Sequence, residues 1–315
     1  MENLKVCVNA VLPIFIVTAA GYLARRLGCL NGDDVFRFNK LVFNFFMPVM
    51  MFYNVYVSDL AVSFNHKLLV CSLLGVLMVW LICTLAVLHT EKIPARRGVM
   101  IQGLYRSNFV IIGLPLVQQL MPEGTDCSLV IVLIATVVPL YNVLAVVSLE
   151  LFGENKQKLS KLELAADILK NPMILGTIAG VLFYILDIRL PSGVVNAAKQ
   201  MANATSPLLM FLLGGFFDFS GLKNQLHEVT PVVICRLVII PAVMLAIGYM
   251  LGFRGIEFAS IMAVFAAPTA IASFTMAQQM GGEPELAGNI VVATSALCPV
   301  TLFAWSMLLK TAGVI

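Results

Sequence analysis

Residues 105–119 read YRSNFVIIGLPLVQQ, and they concentrate the chain's capacity for chemistry in one short segment. Arg106 carries a permanent positive charge, while Ser107 and Asn108 offer neutral hydrogen-bonding groups. The residues around them are apolar enough for lipid, where a central arginine costs about 2.5–3.5 kcal/mol or more. Three arrangements make that tolerable. Arg106 lines a cavity that attracts anions, pairs with a carboxylate such as Glu150 or Asp218, or snorkels towards the membrane surface. Gly113 and Pro115 add a helix break, and Pro115 deprives the Ile111 carbonyl of its usual donor. A second apolar segment, FAAPTAIASF (265–274), repeats the device, with Pro268 freeing the carbonyl of Val264. Half-helix ends at such breaks present amide N–H groups with partial positive charge, which suit a carboxylate. The candidate substrate contacts are therefore Arg106 and Asn108 at the first break, with Pro268, Thr269 and Ser273 at the second. Thr269 and Ser273 act either as ligand contacts or as locally satisfied hydroxyls.

A further pair of breaks lies elsewhere. Pro48 frees the carbonyl of Asn44, and Pro207 that of Asn203, so each site sets an asparagine side chain beside its own unpaired carbonyl. Such a spot binds a ligand, an ion or water, or ties neighbouring helices together. Asn44 joins the candidate contacts on that ground. Pro48, Pro207 and Asn203 join Gly113, Pro115 and Pro268 as break positions.

Helices must hold these residues. Sixty per cent of the 315 residues are apolar, 12% are charged and the mean hydropathy is +0.95. Soluble domains are roughly 25% charged. Apolar stretches of membrane-spanning length recur, at 6–27, 36–58, 68–89, 98–121, 128–152, 172–188, 192–217, 230–252, 257–280 and 285–310. The expected fold is an all-α membrane protein with ten transmembrane helices. The first span has its arginine pair, Arg25 and Arg26, after the apolar run, unlike a signal peptide. Ten spans put both termini on one side. Thirteen of the twenty Lys and Arg residues, Lys92, Arg96, Arg97 and Arg236 among them, then fall opposite the termini; six fall with them, and Arg106 is mid-span. The positive-inside rule makes the termini extracytoplasmic in a multi-pass cell-membrane protein. Residues 153–171 are the one long polar connection, either a cytoplasmic amphipathic helix on the membrane surface or a solvated linker.

That connection divides two similar halves, 1–152 and 172–315. At a shift of 159, Thr18, Gly21, Asn44, Pro48 and Phe52 meet Thr177, Gly180, Asn203, Pro207 and Phe211. With one residue more, Gln118, Glu123 and Pro139 meet Gln278, Glu283 and Pro299. Each half has five spans, an odd number, so the second must insert upside down. Inverted repeats of this kind belong to secondary transporters, with the substrate at the midplane between broken helices. The fourth and ninth spans carry the breaks.

FNKLVFNFFMPVMMF (38–52), NFVIIGLPL (108–116) and KNPMILGTIAGVL (170–182) resemble segments of the auxin efflux carrier family, which includes bacterial permeases for malonate and related organic acids and sits in the bile acid/auxin carrier superfamily. The resemblance runs over essentially the whole chain. It implies a 5+5 inverted repeat whose fourth and ninth helices cross at the substrate, a scaffold around helices 1, 2, 6 and 7, a homodimer, and elevator-type alternating access. Relatives often place Arg directly before the Asn of the fourth helix; here Ser107 intervenes.

The expected function is secondary transport of small organic anions, mono- or dicarboxylates, across the lipid bilayer. A sodium-coupled symporter of related fold and a non-transporting membrane receptor are the alternatives. No enzyme activity, nucleic-acid partner or resident cofactor is expected, and the coupling ion would be H+ or Na+. The seven cysteines lack C-x-x-C spacing, and His66, His89 and His227 stand near helix ends, so no metal site is expected.

Overall fold

The computed structural model describes residues 2–57, 65–109, 112–122, 125, 127–152, 170–216 and 225–315. The described chain is helical, and its β structure amounts to one isolated bridge. In order the helices are α1 (Glu2–Arg26), α2 (Gly32–Tyr56), α3 (His66–Thr90), α4 (Pro94–Tyr105), α5 (Gly113–Leu120) and α6 (Ser128–Phe152). Then come α7 (Pro172–Ile185), α8 (Ser192–Phe216), α9 (Leu226–Met250), α10 (Gly255–Ala266), α11 (Ala272–Gln279) and α12 (Pro284–Thr311). Five of them, α2, α3, α9, α12 and the Val132–Phe152 part of α6, are long and apolar enough to cross a membrane; α7 and α10 are shorter apolar helices. Most of the 153–171 connection lies outside the described residues. Its last residue, Asn171, caps α7 by accepting from the Met173 N–H at 3.0 Å, and Pro172 follows as the first helical residue.

Prolines shape two of the long helices in the same way. In α2 a wide π turn over Val42–Phe46 precedes Pro48, and in α9 another over Cys235–Ile239 precedes Pro241. Met47 and Ile240 reach back five residues, to the carbonyls of Val42 and Cys235. The helix thus absorbs the donor that each proline lacks by widening, without breaking. This corrects the expectation at Asn44. Its side chain is exposed and donates to the Lys40 carbonyl at 2.8 Å, so it builds no binding spot beside Pro48. Asn203 and Pro207 are exposed too, on the outer face of α8.

Glycines let four helices approach backbone to backbone. A Cβ on Gly21 of α1 would stand 1.9 Å from the Phe211 carbonyl oxygen of α8, and one on Gly214 1.8 Å from that of Thr18. On α7, a Cβ on Gly176 would stand 2.4 Å from the Pro48 oxygen of α2, and one on Gly180 2.8 Å from that of Phe52. Gly21 with Phe211, and Gly180 with Phe52, are the same two repeat positions with their partners exchanged. α2 and α8 also pack on each other, joining the two pairs into one group.

Helices α3, α5, α6 and α9 pack around α10, which is buried from Phe258 to Ala266. On the outside, α3 presents Leu74, Met78, Ile82 and Leu85, and α9 presents Val243, Ile247 and Met250, as rows of exposed apolar side chains. Surfaces of this extent face lipid in a membrane protein.

Candidate functional site

Both predicted breaks are present, and they meet. α4 ends at Tyr105 and α10 at Ala266, and beyond each the backbone becomes extended. Pro268 accounts for the second break, since a residue before proline is excluded from the helical region, and Ala267 is at φ −68°, ψ 155°. Pro115 does not make the first. It sits in the opening turn of α5, where a missing N–H costs no helical bond. That break begins upstream at Arg106, and the Ile111 carbonyl expected to be free lies outside the described residues. The extended pieces pair as a small antiparallel bridge between Ser107 and Thr269. The Asn108 N–H donates to the Pro268 carbonyl at 2.8 Å, and the Ala270 N–H to the Arg106 carbonyl at 3.1 Å.

A helix ending inside a membrane must satisfy its last four carbonyls. For α4 every one has a donor. Gln102 O accepts from the Arg106 N–H at 3.0 Å, Gly103 O from the Thr269 hydroxyl at 2.7 Å, and Leu104 O and Tyr105 O from Arg236 at 3.2 and 3.3 Å. At the end of α10, the Val264 carbonyl freed by Pro268 accepts from the Tyr141 hydroxyl at 3.3 Å. Ala267 O takes two bonds from Arg236, at 3.0 and 2.6 Å. Thr269 is thus a structural hydroxyl, with its N–H also reaching Thr294 Oγ1 at 3.3 Å.

Arg106 is buried, at 4% exposure, and points into the crossing. It donates to Asn142 Oδ1 at 2.5 Å, Gln102 Oε1 at 3.1 Å and Met276 Sδ at 2.7 Å. All three are neutral, so among the described residues the guanidinium is oriented and its charge left intact; Asp218, one of the carboxylates expected as a partner, lies outside them. Asn142 is itself held, donating to Met51 Sδ at 2.6 Å. The Nδ2 of Asn108 and the Oγ of Ser273 are buried and have no partner among the described residues.

A cavity of about 90 Å³ opens beside these groups. Arg106, Ser107 and Asn108 form one wall, Ala270 to Ala272 at the start of α11 another. Tyr141 and Asn142 of α6 close it, and Met50, Met51 and Asn54 of α2 with Ser206 and Leu209 of α8 complete it. The opening residues of α11 bring the positive end of a half-helix to the cavity. Of the six expected contacts, Arg106 and Asn108 line this space, while Asn44, Pro268, Thr269 and Ser273 do not. Asn54 and Ser206 escaped sequence reading. Their signal is helical spacing: Met50, Met51 and Asn54 share one face of α2, three and four residues apart.

The sequence FNK has its own place in this frame. Asn39 is fully buried, accepts from the Thr275 hydroxyl at 2.7 Å and donates to Gln278 Oε1, tying α2 to α11.

Membrane-length helices, two stitched breaks and a cationic cavity at the stitch are the architecture of a membrane transport protein. A family model described as membrane transport protein matches residues 6–306, and the chain belongs to that family, the auxin efflux carrier group of the bile acid/auxin superfamily. It is also similar to an uncharacterized transporter of Methanothermobacter thermautotrophicus strain Delta H, with 23% identity over 310 residues, covering 96% of this chain and 98% of that protein.

Proposed function

We propose that this protein is a secondary active transporter of small organic anions, mono- or dicarboxylates. The observation that carries the reading is the cavity at the crossed breaks. There a buried arginine whose partners among the described residues are neutral, an asparagine N–H donor with no partner among them, and a half-helix N-terminus converge. A carboxylate answers all three. Charge-assisted hydrogen bonds to arginine are about twice as strong as neutral ones, and a site desolvated in this way favours an anion of a few heavy atoms.

Counting α4 with α5 and α10 with α11 as broken spans gives ten spans in two inverted sets of five, joined by the 153–171 connection. The exchanged Gly21–Phe211 and Gly180–Phe52 contacts support that arrangement. Alternating access is of the elevator type: α1, α2, α7 and α8 act as the fixed frame, and the crossing with its anion slides against them. The position of the cavity between α2, α8 and the crossing supports this division. The protein resides in the cell membrane as a homodimer with both termini outside.

Uptake of labelled malonate into reconstituted vesicles tests the reading. Wild type is expected to accumulate it, and Arg106→Ala and Asn108→Ala to abolish flux while remaining folded and inserted. Malonate binding without flux would favour a receptor, and wild-type rates in both variants would remove the site.

A further inference from the structure

Transporters with broken helices commonly fill the carbonyl oxygens at the half-helix C-termini with a coupling cation. The corresponding oxygens here already have a cation. The guanidinium of Arg236 makes four hydrogen bonds, two to Ala267 O beyond α10 and one each to Leu104 O and Tyr105 O at the end of α4. Arg236 is fully buried and belongs to the π turn of α9. Its bonds therefore span both breaks from a third helix, and its planar fork of donors matches carbonyls arriving from two directions.

We propose that Arg236 is a tethered cation, its guanidinium occupying the carbonyl cluster between the two breaks in the place of a coupling metal ion. Two observations point the same way. The four bonds, at 2.6 to 3.3 Å, leave those oxygens already coordinated. Two further carbonyls at the breaks, Gly103 O and Val264 O, are taken by Thr269 and Tyr141. A sodium ion at this place would compete for coordinated oxygens beside the charge of Arg236, with that of Arg106 on the same crossing, in a medium where like charges repel far more strongly than in water. The crossing is then held together whether or not sodium is present. Arg236 is a positioning residue: it fixes the geometry in which Arg106 and Asn108 meet the anion.

The idea rests on the transport reading only for its consequence; the cation site is tested without substrate. Thermal unfolding of the purified full chain in detergent is compared in sodium chloride and in choline chloride at equal ionic strength. Wild type is expected to melt at the same temperature in both. Arg236→Ala is expected to melt lower, and to be raised by sodium or by methylguanidinium at concentrations that leave wild type unmoved. Arg236→Lys, which keeps the charge but not the fork, should fall between them. A sodium-specific rise in wild type would overturn the proposal, because a ligand that binds the folded state must stabilise it. So would an Arg236→Ala protein that melts like wild type, or one that melts lower and answers to neither cation. If Arg236→Ala does not fold, the wild-type comparison decides alone. Failure of malonate flux would touch the anion reading and leave this result standing.

Discussion

At the level of single residues, the crossing separates groups that orient from groups that hold. Asn142 orients Arg106 through the bond at 2.5 Å, and hydrogen bonds to charged groups contribute about 1.5–3 kcal/mol. Asn142→Leu is therefore expected to raise the half-saturating anion concentration about tenfold or more, measured by concentration-dependent uptake, with a smaller effect on maximal flux. Thr269 holds. Thr269→Val keeps the shape but strips the donor from Gly103 O, which should lower stability by about 1–3 kcal/mol. Because Thr269 does not line the cavity, anion affinity in the folded fraction should stay near wild type. Thermal unfolding together with binding separates the two outcomes; a large affinity loss in Thr269→Val would make it a ligand contact after all.

At the level of elements, the close approach of α1 to α8 depends on the absence of a side chain. Backbone atoms on the facing helix have little freedom to yield, so Gly21→Ala and Gly214→Ala force the helices apart, and overpacking of this kind costs about 1–3 kcal/mol. Gly180→Ala, with a longer clearance of 2.8 Å, should cost less. Gly193→Ala, at the exposed start of α8 with nothing within 4 Å, should be neutral or slightly stabilising. Melting temperatures in detergent give the order, and equal losses at all four positions would contradict it. Prolines teach a complementary lesson about reading a helix. Pro48 and Pro241 are absorbed by π turns, Pro115 falls harmlessly in a first turn, and Pro268 alone aligns with a break. Residue type announces a missing donor, but the local chain decides whether the helix widens, starts or stops.

At the level of the whole molecule, the charge balance is the ground for the proposed orientation. The thirteen positive residues opposite the termini include Arg236, yet it is fully buried at the crossing and belongs to neither surface. Removing it leaves twelve against six, so the bias and its direction stand. Accessibility of single cysteines in a cysteine-free background checks this. Arg189→Cys, at an exposed position between α7 and α8, should react with a membrane-impermeant maleimide on intact cells. Lys92→Cys, exposed between α3 and α4, should react only after permeabilisation. The reverse pattern would invert the topology and the assignment of both termini.

Composition and spacing alone settled the helical membrane class, because no short-range detail alters the need of long apolar stretches for lipid. They also matched glycines and prolines between the two halves, and they singled out Arg106 and Asn108, since a charge in an apolar helix is conspicuous in one dimension. What they could not supply was the partner of each freed carbonyl. Arg236, Tyr141 and Thr269 reach the breaks from helices or turns 31 to 166 residues away along the chain. Nothing local distinguishes Arg236 from a surface arginine, or Asn44 from a cavity ligand. Only the packed structure, which fixes what each buried polar group meets, assigns one to the centre and the other to the periphery.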